Sequence, residues 1–108
     1  MKLLTKKLLS DLPKLYAQEK VADPIVYVKF FTPDANATWL ATEYDGKDIF
    51  FGWACLGDPY NAELGYFSLK ELESVRGRLG LPIERDMHFT PKLLSEAKKL
   101  YLFLYETN

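Results

Sequence analysis

Cysteine and histidine are nearly absent from this chain: Cys55 and His88 are the only ones in its 108 residues. One thiol cannot close an internal disulfide, so the fold must stand on its core. A structural zinc site generally takes four Cys or His ligands, which two residues cannot supply. Long apolar runs are missing too. No stretch approaches the roughly 18–20 residues that span a bilayer, so no membrane-spanning helix is expected. The opening Met1-Lys2-Leu3-Leu4 meets charge again at Lys6 and Lys7 and is not expected to act as a secretory leader. Neither sign of charge dominates: 14 basic residues face 15 acidic ones, for a net charge of −1. That argues against a broad field for phosphates or anionic lipid. Serine nucleophile elbows, Gly-rich dinucleotide loops and paired-histidine zinc helices do not occur. The expectation is a cytoplasmic, reducing setting, with no cofactor, no metal and no membrane.

What the chain does have is aromatic side chains, at 15% of residues. Such residues bury large areas, so a short chain can still build a core. The length fits a single domain spanning 1–108. Leu4, Leu8, Leu12 and Leu15 recur at helical spacing behind Thr5, a ready N-cap, and Pro13 should stop that helix. The spacing predicts a helix near 5–11 and a further turn to about 18. Ile25-Val26-Tyr27-Val28-Lys29-Phe30-Phe31 is a strand apolar on both faces except at Lys29. Thr38–Tyr44 and a run ending near Leu56 follow as strands, and Leu64–Phe67 as a fourth.

Tyr44-Asp45-Gly46-Lys47 predicts a two-residue type I′ hairpin. Its register would set Tyr44 opposite Lys47, Glu43 opposite Asp48, Thr42 opposite Ile49, Leu40 opposite Phe51 and Trp39 over Gly52. Ser68 to Glu71 is a capping box for a helix ended by Gly77 and Gly80. Ile83–Phe89 predicts a fifth strand, and Thr90-Pro91, or else Ser95, opens a last helix with Leu94, Ala97, Leu100, Tyr101 and Leu104 on one stripe. The sum is an α+β fold. A mostly antiparallel sheet of about five strands, a three-strand meander plus two short ones, packs with N-terminal, middle and C-terminal helices.

Four constellations carry candidate chemistry. The first is acidic: Glu43, Asp45 and Asp48, with Asp58 and Glu63 in or near loops. Glu43 and Asp48, side by side in the expected hairpin, could do acid/base work through a raised carboxylate pKa or hold a divalent cation, or merely sit at a solvated end. Glu84, Asp86 and His88 would share one strand face, as a proton-transfer or metal row or as a charged edge that guards against aggregation. Arg76-Gly77-Arg78-Leu79-Gly80 could hold a phosphate or carboxylate, although it follows a helix C-terminus, the wrong dipole end. Tyr27, Lys29 and Phe31 could stack bases or lie in the core, and the net charge favours the core. Cys55, among Trp53, Ala54 and Leu56, reads as an inert thiol.

Several stretches together resemble one family. They are Leu12-Pro13-Lys14-Leu15-Tyr16, Val28-Lys29-Phe30-Phe31-Thr32-Pro33, Trp39 with Ala41-Thr42-Glu43 and Asp45-Gly46, and Phe50-Phe51-Gly52. Glu63-Leu64-Gly65-Tyr66-Phe67-Ser68-Leu69 and Gly80-Leu81-Pro82-Ile83-Glu84-Arg85-Asp86 complete the set. In that order they are similar to the bacterial domain of unknown function 2958, over about Leu3 to Ser95. The resemblance implies a small product of plasmids, phages and other mobile elements, and carries no activity or functional residue with it.

The leading expectation is therefore a non-enzymatic accessory protein that binds a protein partner of unknown identity. Tyr27, Trp39, Trp53 and Tyr60 are candidate anchors. Tyr101, Phe103 and Tyr105 in the last helix are candidates for self-association. The alternatives are a carboxylate enzyme, with Mg²⁺ or Mn²⁺ as a candidate metal and Glu43, Asp48, Glu63, Glu84, Asp86 and His88 as its groups, and, less favoured, a nucleic-acid-binding module.

Overall fold

Apolar residues on both sides of each strand between 37 and 56 make the centre of the sheet. The structure is a computed structural model that describes residues 2–107, with side chains as far as Phe103. Its helices are α1 (Lys6–Asp11), α2 (Leu69–Ser74) and α3 (Leu94–Thr107). Its strands are β1 (Ile25–Val26), β2 (Val28–Phe31), β3 (Ala37–Tyr44), β4 (Ile49–Leu56), β5 (Glu63–Ser68), β6 (Glu84–Arg85) and β7 (Lys92–Leu93). A 3-10 turn covers Pro59–Asn61. The main sheet has the order β5-β4-β3-β2-β6, every pair antiparallel, and β1 pairs with β7 in a two-stranded sheet. This is the expected α+β architecture, with the meander four strands long.

The expected first strand is cut at Tyr27, because its two ends serve different layers. Val26 packs with Leu40, Trp53, Cys55, Leu94 and Ala97 under α3. Val28 packs with Phe30, Trp39, Ala41, Tyr44, Phe50, Leu72 and Ile83 on the opposite face, where Leu3 and Leu12 also lie. Phe50 is the hub there, stacked on Tyr44 at 4.4 Å and on Phe67 at 5.3 Å, with Phe30 edge-on at 5.4 Å. β3 is buried along almost its whole length, as a central strand covered on both faces must be.

The tight hairpin does not form. A type I′ turn needs positive φ at both central residues, and here only Gly46 has it, at 85°. Asp45 instead turns its carboxylate inward. Its Oδ1 accepts from the backbone N–H groups of Lys47, Asp48 and Ile49 at 2.8, 2.8 and 3.0 Å, holding a wider loop. Tyr44 then faces Phe50, Glu43 faces Phe51, and a bulge at Thr42 brings Ala41 opposite Gly52. Trp39 faces Ala54. Gly52 is bare for another reason: a Cβ there would overlap Leu40 O and lie 2.9 Å from Ala41 Cα. The bulge presses one strand's backbone onto the other.

Two other expectations change. The fifth strand is only Glu84–Arg85, because Asp86 closes a turn by accepting from the His88 N–H at 2.9 Å. α3 is capped neither by Thr90 nor by Ser95. Asp23, far away in sequence, accepts from the Ser95 N–H at 2.9 Å and the Ser95 hydroxyl at 2.6 Å.

Candidate functional site

Segment 16–24 has no regular structure of its own, yet it forms one wall of a well-formed concavity. A groove of about 530 Å³ lies between that segment, the N-terminal end of α3 and the β5 side of the sheet. Thr42, Glu43 and Phe51 line its sheet side, with Leu64 and Tyr66 toward the β5 edge and Leu94 and Lys98 on α3. Tyr16, Val21, Leu64 and Tyr66 are about half exposed around it. Phe51 and Tyr66 meet edge-on with centroids 5.0 Å apart. The neighbouring Tyr16 side chain, with burial second, pushes the Tyr66 phenol above its ordinary value of 10.0.

One buried carboxylate fixes this wall to the sheet. Glu43 is 3% exposed, and its two oxygens accept from the N–H groups of Tyr16 at 2.8 Å and Gln18 at 2.7 Å. Gln18 extends the clamp: its amide donates to Ile25 O and Thr42 O and accepts from the Ile25 N–H. Tyr16 is held at φ 73°, the left-handed region that non-glycine residues avoid. Such strain, of order 1–3 kcal/mol, persists only where surrounding bonds over-determine it. The Glu43 bonds are those constraints.

Two of the other acidic candidates, Asp48 and Asp86, do the same kind of work elsewhere. Asp48 caps α2, accepting from the Ser68 hydroxyl at 2.7 Å and the Lys70 N–H at 2.9 Å, while Ser68 accepts from the Glu71 N–H. Asp86 caps its own turn and lies 3.8 Å from Lys29 Nζ. The Glu84, Asp86 and His88 row therefore does not exist, since the strand ends before Asp86. Glu43 and Asp48 do not face each other, and Glu63 is exposed at the start of the far edge strand. Among the described residues no group of three His, Cys, Asp or Glu side chains is placed to hold a metal ion. Glu63 in β5 and Glu84 in β6 stand at opposite edges of the main sheet.

The basic loop holds a carboxylate, but one from this chain. Asp34 Oδ2 accepts from the N–H groups of Leu79 at 2.7 Å and Leu81 at 3.3 Å, and its Oδ1 is buried with no donor. α2 ends at Ser74 rather than at the glycines. Gly77 is bare because a Cβ there would overlap that carboxylate. Gly77→Ala and Asp34→Ala are each expected to cost about 1–3 kcal/mol. The double variant should cost little more than either, because both remove one interaction. Urea melts of the three variants test this, and full additivity would contradict it.

The aromatic candidates divide. Trp39 and Trp53 are core residues, 7% and 5% exposed, and offer no docking surface. Tyr27 leaves the face of Lys29 and Phe31 and packs beside the Phe30 cluster. The stacking platform is thus not assembled, and Lys29 is turned to Asp86. Tyr60 is 94% exposed and Phe103 63%. Tyr101 is half-buried, edge-on to Trp53 and 3.2 Å from the buried Cys55 Sγ. The Tyr105 side chain lies outside the described residues. Gln18, Val21 and Lys98 carried no sequence signal as groove residues. Glu43 did, as the one charge in an otherwise uncharged strand.

Three carboxylate caps make the fold sensitive to acid. The Ser95 hydroxyl and then its N–H hold Asp23 below the ordinary 3.8. The Asp48 and Lys47 N–H groups do so for Asp45, and the Ser68 hydroxyl and Lys70 N–H for Asp48. Lowered folded-state values contribute stability that is complete above the unfolded value and is lost as pH falls through the folded ones. The melting temperature should therefore hold down to about pH 5 and decline below about pH 4. A melting temperature unchanged between pH 6 and pH 2 would contradict the capping roles.

Fold and site together define an α+β protein built on one antiparallel sheet, with a clamped apolar groove beside its β5 edge. No helix among the described residues is long and apolar enough to cross a membrane. A family model described as "Protein of unknown function (DUF2958)" matches residues 3–99, and the chain belongs to that family. No curated protein and no solved structure matches it significantly.

Proposed function

We propose that this chain is a cytoplasmic, non-enzymatic accessory protein of plasmids, phages or other mobile elements, and that it acts by binding a partner protein in the groove. The observation that carries this reading is the clamp. Glu43 and Gln18 organise an apolar wall that no catalytic group uses. Pre-organised apolar concavities with a few polar groups are what binding sites look like. The aromatic rim of Tyr16 and Tyr66 suits the anchoring role such residues play at interfaces. The mobile-element setting is what the family resemblance implies.

The test uses the tagged full chain in its native host, compared with Val21→Asp/Leu64→Asp, both half-exposed groove positions. Quantitative mass spectrometry should find partners depleted at least about tenfold in the variant, at an unchanged melting temperature. Titration of the purified partner should repeat the difference, since charge in an apolar contact costs several kcal/mol. Equal recovery with both proteins would overturn the reading.

A further inference from the structure

The two edges of the main sheet are treated differently. β6 is two residues long, both charged, and Asp86 closes a turn after it, which guards that edge. β5 is six residues long, free of proline, lysine and bulges, and its only charge is Glu63 at the first position. Among the described residues, no backbone group of Leu64, Gly65, Tyr66 or Phe67 bonds to any element other than β4. Such an edge is a template for another strand. Gly65 sharpens the point. A Cβ there would meet nothing within 4 Å, so nothing inside the chain calls for glycine. A bare residue in a strand often marks the close approach of another backbone.

We infer that the occupant is a second copy of this chain, its β5 pairing antiparallel about a two-fold axis at Gly65 so that two five-stranded sheets become one. This goes beyond docking in the groove and does not depend on it. The strand is complementary to itself. The axis sets Leu64 of each copy opposite Tyr66 of the other, covering side chains that are 53% and 56% exposed in one copy. Glu63 falls opposite Phe67, so no like charges face each other across the pair. With a net charge of −1 per copy, long-range repulsion between two copies is small.

An edge-to-edge contact is small and belongs at the weak end of interfaces, so sedimentation velocity should cover about 5–500 µM. The wild-type chain is expected to pass from monomer to dimer across that range, and its β5 amides to exchange more slowly as the dimer forms. Gly65→Lys and Gly65→Glu extend into open space on the sheet face away from the groove residues Leu64 and Tyr66. Each should stay monomeric alone, and a 1:1 mixture should restore the dimer. A wild-type monomer at about 500 µM would overturn the inference. So would a dimer that survives Gly65→Lys, or one lost in Phe103→Ser instead. Should the charged variants fail to fold, the β5 exchange rates of the wild type decide: no slowing with concentration rejects the pairing.

Discussion

Gly52→Ala is expected to destabilise the protein by roughly 3 kcal/mol or more, the upper end of overpacking costs. One added methyl has nowhere to go: it would overlap Leu40 O and crowd Ala41 Cα, both backbone atoms of the neighbouring strand. Side chains can rotate away from an intruder, but a paired central strand cannot. Relief requires β3 to lift from β4 at the bulge, where the Thr42 hydroxyl donates to Phe51 O at 3.1 Å. For a chain of this size that cost lowers the melting temperature by roughly 10–20 °C. Gly65→Ala, directly across the ladder with open space around it, should change it by only a few degrees. Equal melting temperatures for the two variants would show that the close approach at Gly52 is not real.

Glu43→Gln is expected to cost about 3 kcal/mol despite its near-identical shape. Two backbone N–H groups point at this side chain, and both oxygens are in use. An amide has one oxygen, so one N–H would meet an NH₂ instead, donor against donor. Glu43→Asp keeps two acceptors on a shorter stem and should be comparably damaging. The damage should concentrate in segment 16–24. Tyr16 sits at positive φ only under this restraint and would relax, opening the groove. Partner binding should then fall more than stability alone accounts for.

Much of the scaffold is legible in local chemistry. Thr5 accepts from the Leu8 N–H and starts α1 where the spacing places it, and Ser68 starts α2. The strands follow the β-branched and aromatic runs. What local rules miss is long-range capping. Asp45-Gly46 has the composition of a tight turn, but a carboxylate that can accept three N–H groups favours a wider one. The same competition removes the acidic row, since Asp86 closes a turn where alternation alone would extend a strand. Asp23 to Ser95, Asp34 to Leu79 and Glu43 to Tyr16 span 72, 45 and 27 residues, and no periodicity carries that information. Glu43 stands out in sequence as a lone charge in an uncharged strand. Its buried role depends on a bulge that pattern alone does not reveal.

The account turns on one buried carboxylate holding a loop against the sheet, and amide hydrogen exchange at Tyr16 and Gln18 reads this directly. Both N–H groups should be protected in the native chain and lose that protection in Glu43→Gln, while the β3 and β4 amides stay slow. Tyr16 and Gln18 amides that exchange as freely in the native chain as in the variant would contradict it.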